Sequence, residues 1–413
     1  MGNGTTMISR RRVLAAGVAL PLVMARKARA QAATIKIGVL NDMSGPYRDL
    51  SGPVSVACVR QAIEDFGASG KGLNVQVVVG DHQNKPDVGS SIAREWIDRE
   101  GMDFICDTAN STVALAVSGV VREKNKVYIN STAATAELTG KQCSPNTIHW
   151  TYDTWMLSRS TGGAMVKTGG DTWFFLTANY AFGHALENET ANFVRAAGGR
   201  VVGQVRHPLN TADFSSLLVQ AQGSKAKVIG LANAGGDTIN CIKQAAEFGL
   251  TSGGTKLAGL LLFLSDIHSL GLKVAQGLVL TETFYWDLND RTRAFTRRVL
   301  PKTGNQPPSM GQAGCYASTQ HYLKGVADMG VTEAKKDGAA TVARLKAMPT
   351  DDDAFGPGRI REDGRKLHPA YLFEVKKPEE SKVPWDYYKL LATTPAEEAF
   401  RPMAEGGCPL IKS

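Results

Sequence analysis

Thr34-Ile35-Lys36-Ile37-Gly38-Val39-Leu40, running straight into Asn41-Asp42-Met43-Ser44-Gly45-Pro46, decides the fold. A short apolar, β-branched run that opens onto a cluster of turn formers reads as a buried strand whose carboxyl end carries a loop. The period then changes. From Pro53 to Phe66, the residues Val56, Val59, Ile63 and Phe66 recur on one helical face. The pair repeats downstream. Leu73 to Val79 reads as a strand and Asp87 to Asp98 as a helix carrying Ile92, Trp96 and Ile97. Phe104 to Cys106 is a strand, Ser111 to Lys124 a helix, and Lys126 to Ile129 a fourth strand. Strands alternating with helices predict a parallel sheet covered on both faces.

Beyond a crossing segment, Trp150 to Thr154, the rhythm restarts. Helices are expected over Leu157–Lys167, Gly183–Ala197, Phe214–Ala221 and Thr238–Phe248, the second and last ended by Gly198-Gly199 and by Gly249. Strands are expected over Thr172–Thr177, Val201–Val205, Ala226–Leu231, Lys256–Leu264 and Gly277–Leu280. The chain therefore reads as α/β, with two Rossmann-like lobes, each on its own parallel sheet. Residues 351–400 differ. An Asp363-Gly364 turn between Arg359-Ile360-Arg361 and Tyr371-Leu372-Phe373 predicts a late hairpin.

Residues 1–30 read as an export signal. Ser9-Arg10-Arg11-Arg12 precedes an apolar stretch, Val13 to Met24, and Ala28-Arg29-Ala30 offers a small-x-small cleavage site before Gln31. The paired arginines resemble a Tat signal, and the apolar stretch falls short of the roughly 20 residues that span a bilayer. The chain holds 47 basic and 39 acidic side chains, of which six basic and no acidic ones lie in 1–30. The remainder is 41 against 39, a net charge of +2, which excludes the basic field that nucleic acid or an anionic membrane would require. About 380 residues exceed what one core usually holds, so two domains are expected.

Six cysteines are present and none forms a CxxC pair, which argues against zinc. Cys143 and Cys408 lie in polar loop and tail segments and are candidates for one disulfide that pins the tail. Cys58, Cys106, Cys241 and Cys315 sit among apolar residues and read as buried thiols. Motifs for a nucleophile elbow, a zinc protease, a dinucleotide fold or a P-loop are all missing. His82, His184, His207 and His268 stand apart from one another and read as structural, and Asp351-Asp352-Asp353 as a solvated turn. No enzyme, cofactor or metal is expected.

Ligands of open α/β sheets bind at the carboxyl ends of strands. In the first lobe the loops there hold Tyr47, Asn110, Ser111 and the run Ala133-Ala134-Thr135. They offer hydroxyls and helix-start N–H groups that suit a carboxylate. In the second they hold Tyr180, Phe182, Asn233 and Gly235, where rings suit an apolar body. Each Ser, Thr or Asn could equally be an N-cap. Phe284 and Tyr285, in the cluster Thr283–Asp287, either pack in a core or line the cleft near the hinge.

Gly38-Val39-Leu40 with Ser44-Gly45-Pro46-Tyr47, Ala133-Ala134-Thr135 before Glu137-Leu138-Thr139, Tyr180-Ala181-Phe182-Gly183, Asp213-Phe214-Ser215 and Gln244–Leu250 occur in one order. Together they resemble the leucine/isoleucine/valine-binding family, periplasmic binding proteins of type I topology. The resemblance implies two lobes joined by a three-strand hinge that closes on a small molecule, with delivery to an ABC permease. It implies lobe one over 31–152 plus 284–345, lobe two over 153–283 plus 346–395, and a tail over 396–413. It implies a periplasmic monomer with no nucleic-acid partner. Carried over by position, a ligand carboxylate meets Ser111, Ala133 and Thr135. Rings come from Tyr180 or Phe182, Tyr47, and Phe284 or Tyr285, while Asn233 and Gly235 face the ligand.

One departure matters. Amino-acid binders of that family hold the ammonium with an acid on a lobe-two strand, and the matching stretch here, Gly259–Leu264, is apolar. Asp237 and Asp266 are the nearest acids. A buried ammonium without a partner is costly, so the expected ligand is an aromatic or short-chain carboxylate. An amino acid or amide is the alternative within the class, and a ligand-sensing receptor is the alternative outside it.

Overall fold

The computed structural model describes Met1, Gly2, residues 34–167 and residues 169–411. The export-signal reading of residues 1–30 falls, but for Met1 and Gly2, outside them. Among the described residues the strands form four sheets. The first is five-stranded and wholly parallel in the order β2-β1-β3-β4-β5: β1 (Thr34–Asn41), β2 (Asn74–Asp81), β3 (Phe104–Cys106), β4 (Val127–Asn130) and β5 (Thr147–His149). The second is four-stranded and parallel in the order β7-β6-β8-β9: β6 (Thr172–Ala178), β7 (Arg200–His207), β8 (Val228–Ala232) and β9 (Lys256–Gly259). Helices α1 (Gly52–Phe66), α2 (Pro86–Glu95) and α3 (Ser111–Glu123) connect the first strands. Two parallel sheets in sequence, joined through crossings, make this the α/β arrangement of two Rossmann-like units that the sequence predicts.

The buried strands are near-continuous apolar runs, as a sheet covered on both faces requires. β6, Thr-Trp-Phe-Phe-Leu-Thr-Ala, is buried at every position. The chain passes between the two sheets at 150–153, after β10 (Val279–Glu282), and again between 348 and 369. The last crossing holds the ribbon β11 (Arg359–Ile360) and β12 (Lys366–Leu367), closed by the Asp363-Gly364 turn. At these crossings Arg365 is fully buried, with its guanidinium 3.3 Å from Asp153 and 4.4 Å above the Phe400 ring.

Several expectations need correction. Tyr371-Leu372-Phe373 does not pair with Arg359–Arg361. It lies in β13 (Ala370–Val375), antiparallel between β10 and β14 (Tyr388–Thr394). The strand expected over Lys256–Leu264 stops at Gly259, where a Cβ would collide with the returning Leu262 side chain. Leu264–Leu270 is instead a helix that Asp266 caps by accepting from the Phe263 N–H at 3.0 Å. The helix expected from Leu157 begins at Thr154, N-capped by Asp153. Met310–Met329, unassigned from the sequence, is a helix buried along almost its whole length against α1. Cys143 and Cys408 are joined in a disulfide, and the other four cysteines are buried thiols.

Candidate functional site

The loops at the carboxyl ends of both parallel sheets meet in one narrow, nearly closed cavity of about 10 Å³. The first sheet contributes Tyr47 and Leu50 after β1, Ala109 and Ser111 after β3, and Thr132 and Ala134 after β4. The second contributes Tyr180 and Phe182 after β6, Ala234 after β8, and Leu261 and Phe263 after β9. Tyr152, on the first crossing, closes the remaining side.

Local chemistry fixes each wall. The Asp42 carboxylate accepts from the Gly45 N–H at 2.7 Å, the Tyr47 N–H at 2.8 Å and Asn84 Nδ2 at 2.6 Å, which folds the loop after β1 and turns Tyr47 into the cleft. Asn110 is the N-cap of α3. Its side chain accepts from the Thr112 and Val113 N–H groups at 2.9 and 3.2 Å, which sets Ser111 at the first helical position. Ser111 Oγ is buried in the cavity wall without a hydrogen-bond partner. A helix N-terminus carries partial positive charge from its unpaired amides, so a donor hydroxyl there suits an anionic oxygen.

Behind this wall Asp107 ties three strand ends together. Fully buried and held at φ +61°, it accepts from Asn41 Nδ2 at 2.9 Å and Thr132 Oγ1 at 2.7 Å. Tyr152 donates to the Thr132 carbonyl and packs edge-on against Phe263, with ring centroids 5.8 Å apart. On the far wall, Tyr180 and Phe182 stand 5.9 Å apart. The Tyr47 and Tyr180 hydroxyls meet across the gap. Burial and each other's proximity push the Tyr47 hydroxyl well above its ordinary range, and burial raises Tyr180 too, so both are protonated phenols. Asp237, nearby, is pushed up to about 6 by burial, although it accepts from the Asn210 and Thr211 N–H groups.

Of the residues anticipated here, Tyr47, Ser111, Ala134, Tyr180 and Phe182 converge on the cavity. Gly235 lies at its edge in left-handed conformation, where a Cβ would stand 2.5 Å from the Pro46 carbonyl of the opposite lobe. The others serve differently. Asn110 caps α3. Thr135 caps the turn Ala136–Thr139, accepting from the Glu137 N–H at 3.3 Å. Ala133 is buried in the cluster of Leu40, Ile105 and Val113. Asn233 faces inward, bonded to His207 Nε2 at 3.1 Å and accepting from Thr238 Oγ1 at 2.7 Å. Phe284 and Tyr285 line no part of the cavity. Phe284 packs against Phe295 and Phe355, and Tyr285 against Phe373 and Tyr388, because larger apolar surfaces lie on either side of the crossing. Asp351 and Asp353 are ion-paired with Arg291 and Asp353 also with Arg298, while Asp352 is buried and caps its own turn, so that run is not a plain solvated turn. Among the described residues no cluster of His, Cys, Asp and Glu could hold a metal ion.

Tyr152, Leu261 and Phe263 escaped the sequence reading. Tyr152 follows β5, a strand that the sequence reading did not assign, and the other two were assigned to a strand that ends before them.

A family profile described as "Periplasmic binding protein" matches residues 34–381. A crystal structure of a periplasmic binding protein from Burkholderia mallei is 50% identical, covers 92% of this chain and 100% of its own, and superposes with a TM-score of 0.88. A branched-chain amino acid ABC transporter periplasmic ligand-binding protein from Burkholderia xenovorans LB400 is 40% identical over 91% of this chain and 99% of its own, with a TM-score of 0.79. A solute-binding protein from R. palustris in complex with 4-hydroxybenzoate shares the fold at 23% identity and a TM-score of 0.79, covering 89% of this chain and 98% of its own.

Proposed function

This chain belongs to the periplasmic binding protein family, and we propose that it captures a small aromatic or short-chain carboxylate between its lobes for delivery to an ABC permease. The family is one of solute-binding proteins, not enzymes. In this reading the lobes comprise residues 31–152 with 284–345 and 153–283 with 346–395. Tyr47, Ser111, Ala134, Tyr180 and Phe182 touch the ligand, and residues 1–30 direct export to the periplasm.

The observation that carries the reading is the composition of the cavity wall. One end holds the unpartnered Ser111 hydroxyl at the start of α3, and the body is lined by Leu50, Leu261, Phe182 and Phe263. No acidic side chain lines the cavity among the described residues, so an α-ammonium would be desolvated without a counter-charge, at a cost of several kcal/mol. The distant neighbour's 4-hydroxybenzoate belongs to the same chemical class. Because Tyr47 and Tyr180 close the gap, a ring enters only as these two part.

A branched-chain amino acid is the second reading, favoured by the 40% identical neighbour's description. Calorimetric titration with benzoate, 4-hydroxybenzoate, 4-methylpentanoate and leucine separates the two. The expected result is binding of a carboxylate lacking the amino group at least about tenfold tighter than leucine, a gap of about 1.4 kcal/mol. Leucine binding tighter than 4-methylpentanoate would overturn the first reading in favour of the second.

A further inference from the structure

We propose that the C-terminal segment 396–408 is a strap that positions the pocket wall 132–139 from outside the cavity, with Arg401 as the positioning residue and the Cys143–Cys408 bond as its anchor. The proposal rests on the preceding reading only in taking Thr132 and Ala134 as ligand-facing.

The wall's ligand-facing part is held from within, by Thr132 Oγ1 on Asp107 at 2.7 Å, Asn130 Nδ2 on the Ala133 carbonyl at 2.7 Å and the Thr154 N–H on the Ala134 carbonyl at 2.8 Å, whereas the turn that follows is held loosely. Beyond Ala134, the Ala136 N–H reaches Thr154 Oγ1 at 3.3 Å, the Glu137 N–H reaches Thr135 Oγ1 at 3.3 Å and the Leu138 N–H reaches the Thr135 carbonyl at 3.4 Å. All three are long for hydrogen bonds. On this turn a firmer grip comes from the far end of the chain. Arg401 Nη2 donates to the Ala136 carbonyl at 3.0 Å, a charge-assisted bond. Arg401 is itself fixed, since its carbonyl accepts from Arg361 Nη1 at 2.8 Å, and Arg361 is locked in a fork on the buried Asp363 at 2.5 and 3.1 Å.

The chain around Arg401 is anchored on both sides. Phe400 is buried beneath the Arg365 guanidinium. Cys408 is bonded to Cys143, four residues past the turn. Gly140 makes room for this contact: a Cβ there would lie 2.6 Å from Arg401 Nη2 and 3.0 Å from the Gly406 carbonyl. None of the gripping atoms belongs to a residue lining the cavity. The strap therefore acts on the ligand through the wall.

The test is hydrogen–deuterium exchange of the full chain without ligand, comparing peptides over 132–140 and over 228–232 in β8. The variants are Arg401→Ala, Arg401→Lys and the double Cys143→Ser, Cys408→Ser. Exchange over 132–140 is expected to quicken about tenfold in Arg401→Ala and in the double variant, the scale of one lost charge-assisted bond. β8 stays at the parental rate, and Arg401→Lys recovers part of the loss. The Kd for 4-hydroxybenzoate is expected to weaken by a similar factor with the melting temperature of Arg401→Ala unchanged. Parental exchange over 132–140 overturns the proposal, as does equal quickening in β8, which marks general destabilisation. A quickened wall with an unchanged Kd also overturns it. If the parent binds no 4-hydroxybenzoate, that result counts against the carboxylate reading, while the exchange comparison still decides the strap. Should the double variant fail to fold, Arg401→Ala, which keeps the disulfide, decides alone.

Discussion

The Tyr47 hydroxyl lies 2.6 Å from the Tyr180 hydroxyl, one on the loop after β1 and the other on the loop after β6, so a side-chain hydrogen bond joins the two lobes at the cavity. Both phenols are buried and protonated, which leaves one as donor and the other as acceptor. Tyr180→Phe removes the bond and strands the Tyr47 hydroxyl, at about 1–3 kcal/mol against the closed arrangement. Small-angle scattering of the ligand-free variant should give a larger radius of gyration than the parent. An identical radius would mean that the pair adds nothing to closure.

Ser111→Ala separates binding from stability. The Ser111 hydroxyl is buried with no partner, so its deletion removes an unsatisfied group and leaves the melting temperature unchanged or slightly raised. A carboxylate that uses the hydroxyl loses about 1–2 kcal/mol, or roughly five- to thirtyfold in Kd. Titration with 4-hydroxybenzoate and thermal melting check the two halves. A lowered melting temperature with unaltered affinity would return Ser111 to a purely structural role.

Gly235 lets the lobes approach. Its φ of +57° favours glycine, and a Cβ would press on the Pro46 carbonyl at 2.5 Å, beside the Gly236 N–H bond to that same oxygen at 3.2 Å. Gly235→Ala should leave the far-ultraviolet circular dichroism intact while weakening 4-hydroxybenzoate binding by more than tenfold, a loss above about 1.4 kcal/mol. Retained affinity would show that the contact relaxes without cost.

How much of this was legible in the sequence follows from where each residue's signal comes from. Strands such as Thr34–Leu40 announce themselves by composition, and loops after strands by turn chemistry, so Tyr47, Ser111, Tyr180 and Phe182 could be found by locating strand ends. Phe263 could not, because nothing in Leu260–Leu264 distinguishes an apolar strand from an apolar turn. Phe284 and Tyr285 carry the same aromatic signal as Tyr180, and only the positions of Phe295, Phe355, Phe373 and Tyr388 consign them to the core. The helix Met310–Met329 is buried on all sides, including at Gln312, Ser318 and His321, so it has no apolar stripe to read.

Glu282 predicts a pH dependence. Burial, and then the charge of Asp266, raises it well above the ordinary carboxylate range, and burial pushes Asp266 up to about 7. Glu282 Oε2 has no hydrogen-bond partner. Acids with raised folded-state pKa values bind protons more tightly folded than unfolded. Their contribution is complete below about pH 4 and is lost as pH rises through the folded-state values, which for Asp266 is about 7. Glu282→Gln removes one of the two acids that must be either buried as charge or held protonated, and should gain about 1–3 kcal/mol at pH 8, with little gain at pH 5. Urea unfolding at both pH values measures the difference. An equal effect at pH 5 and pH 8 would exclude titration of this pair as the cause.

The helix Met310–Met329 also sets an order of events during synthesis. Gln320 Nε2 donates to the Ala62 carbonyl at 3.1 Å across 258 positions of sequence, and Gln312 holds the Ser51 carbonyl at 3.0 Å. The hydrophobic interior begun by β1 and α1 therefore stays uncovered while some 250 further residues leave the ribosome. The strands β6 to β9 fall within one continuous stretch, 172–259, and can collapse first. An elongating chain can thus assemble the sheet β6 to β9 before its first sheet is covered, and until residue 329 has emerged the apolar flank of α1 stays open to aggregation or to a chaperone.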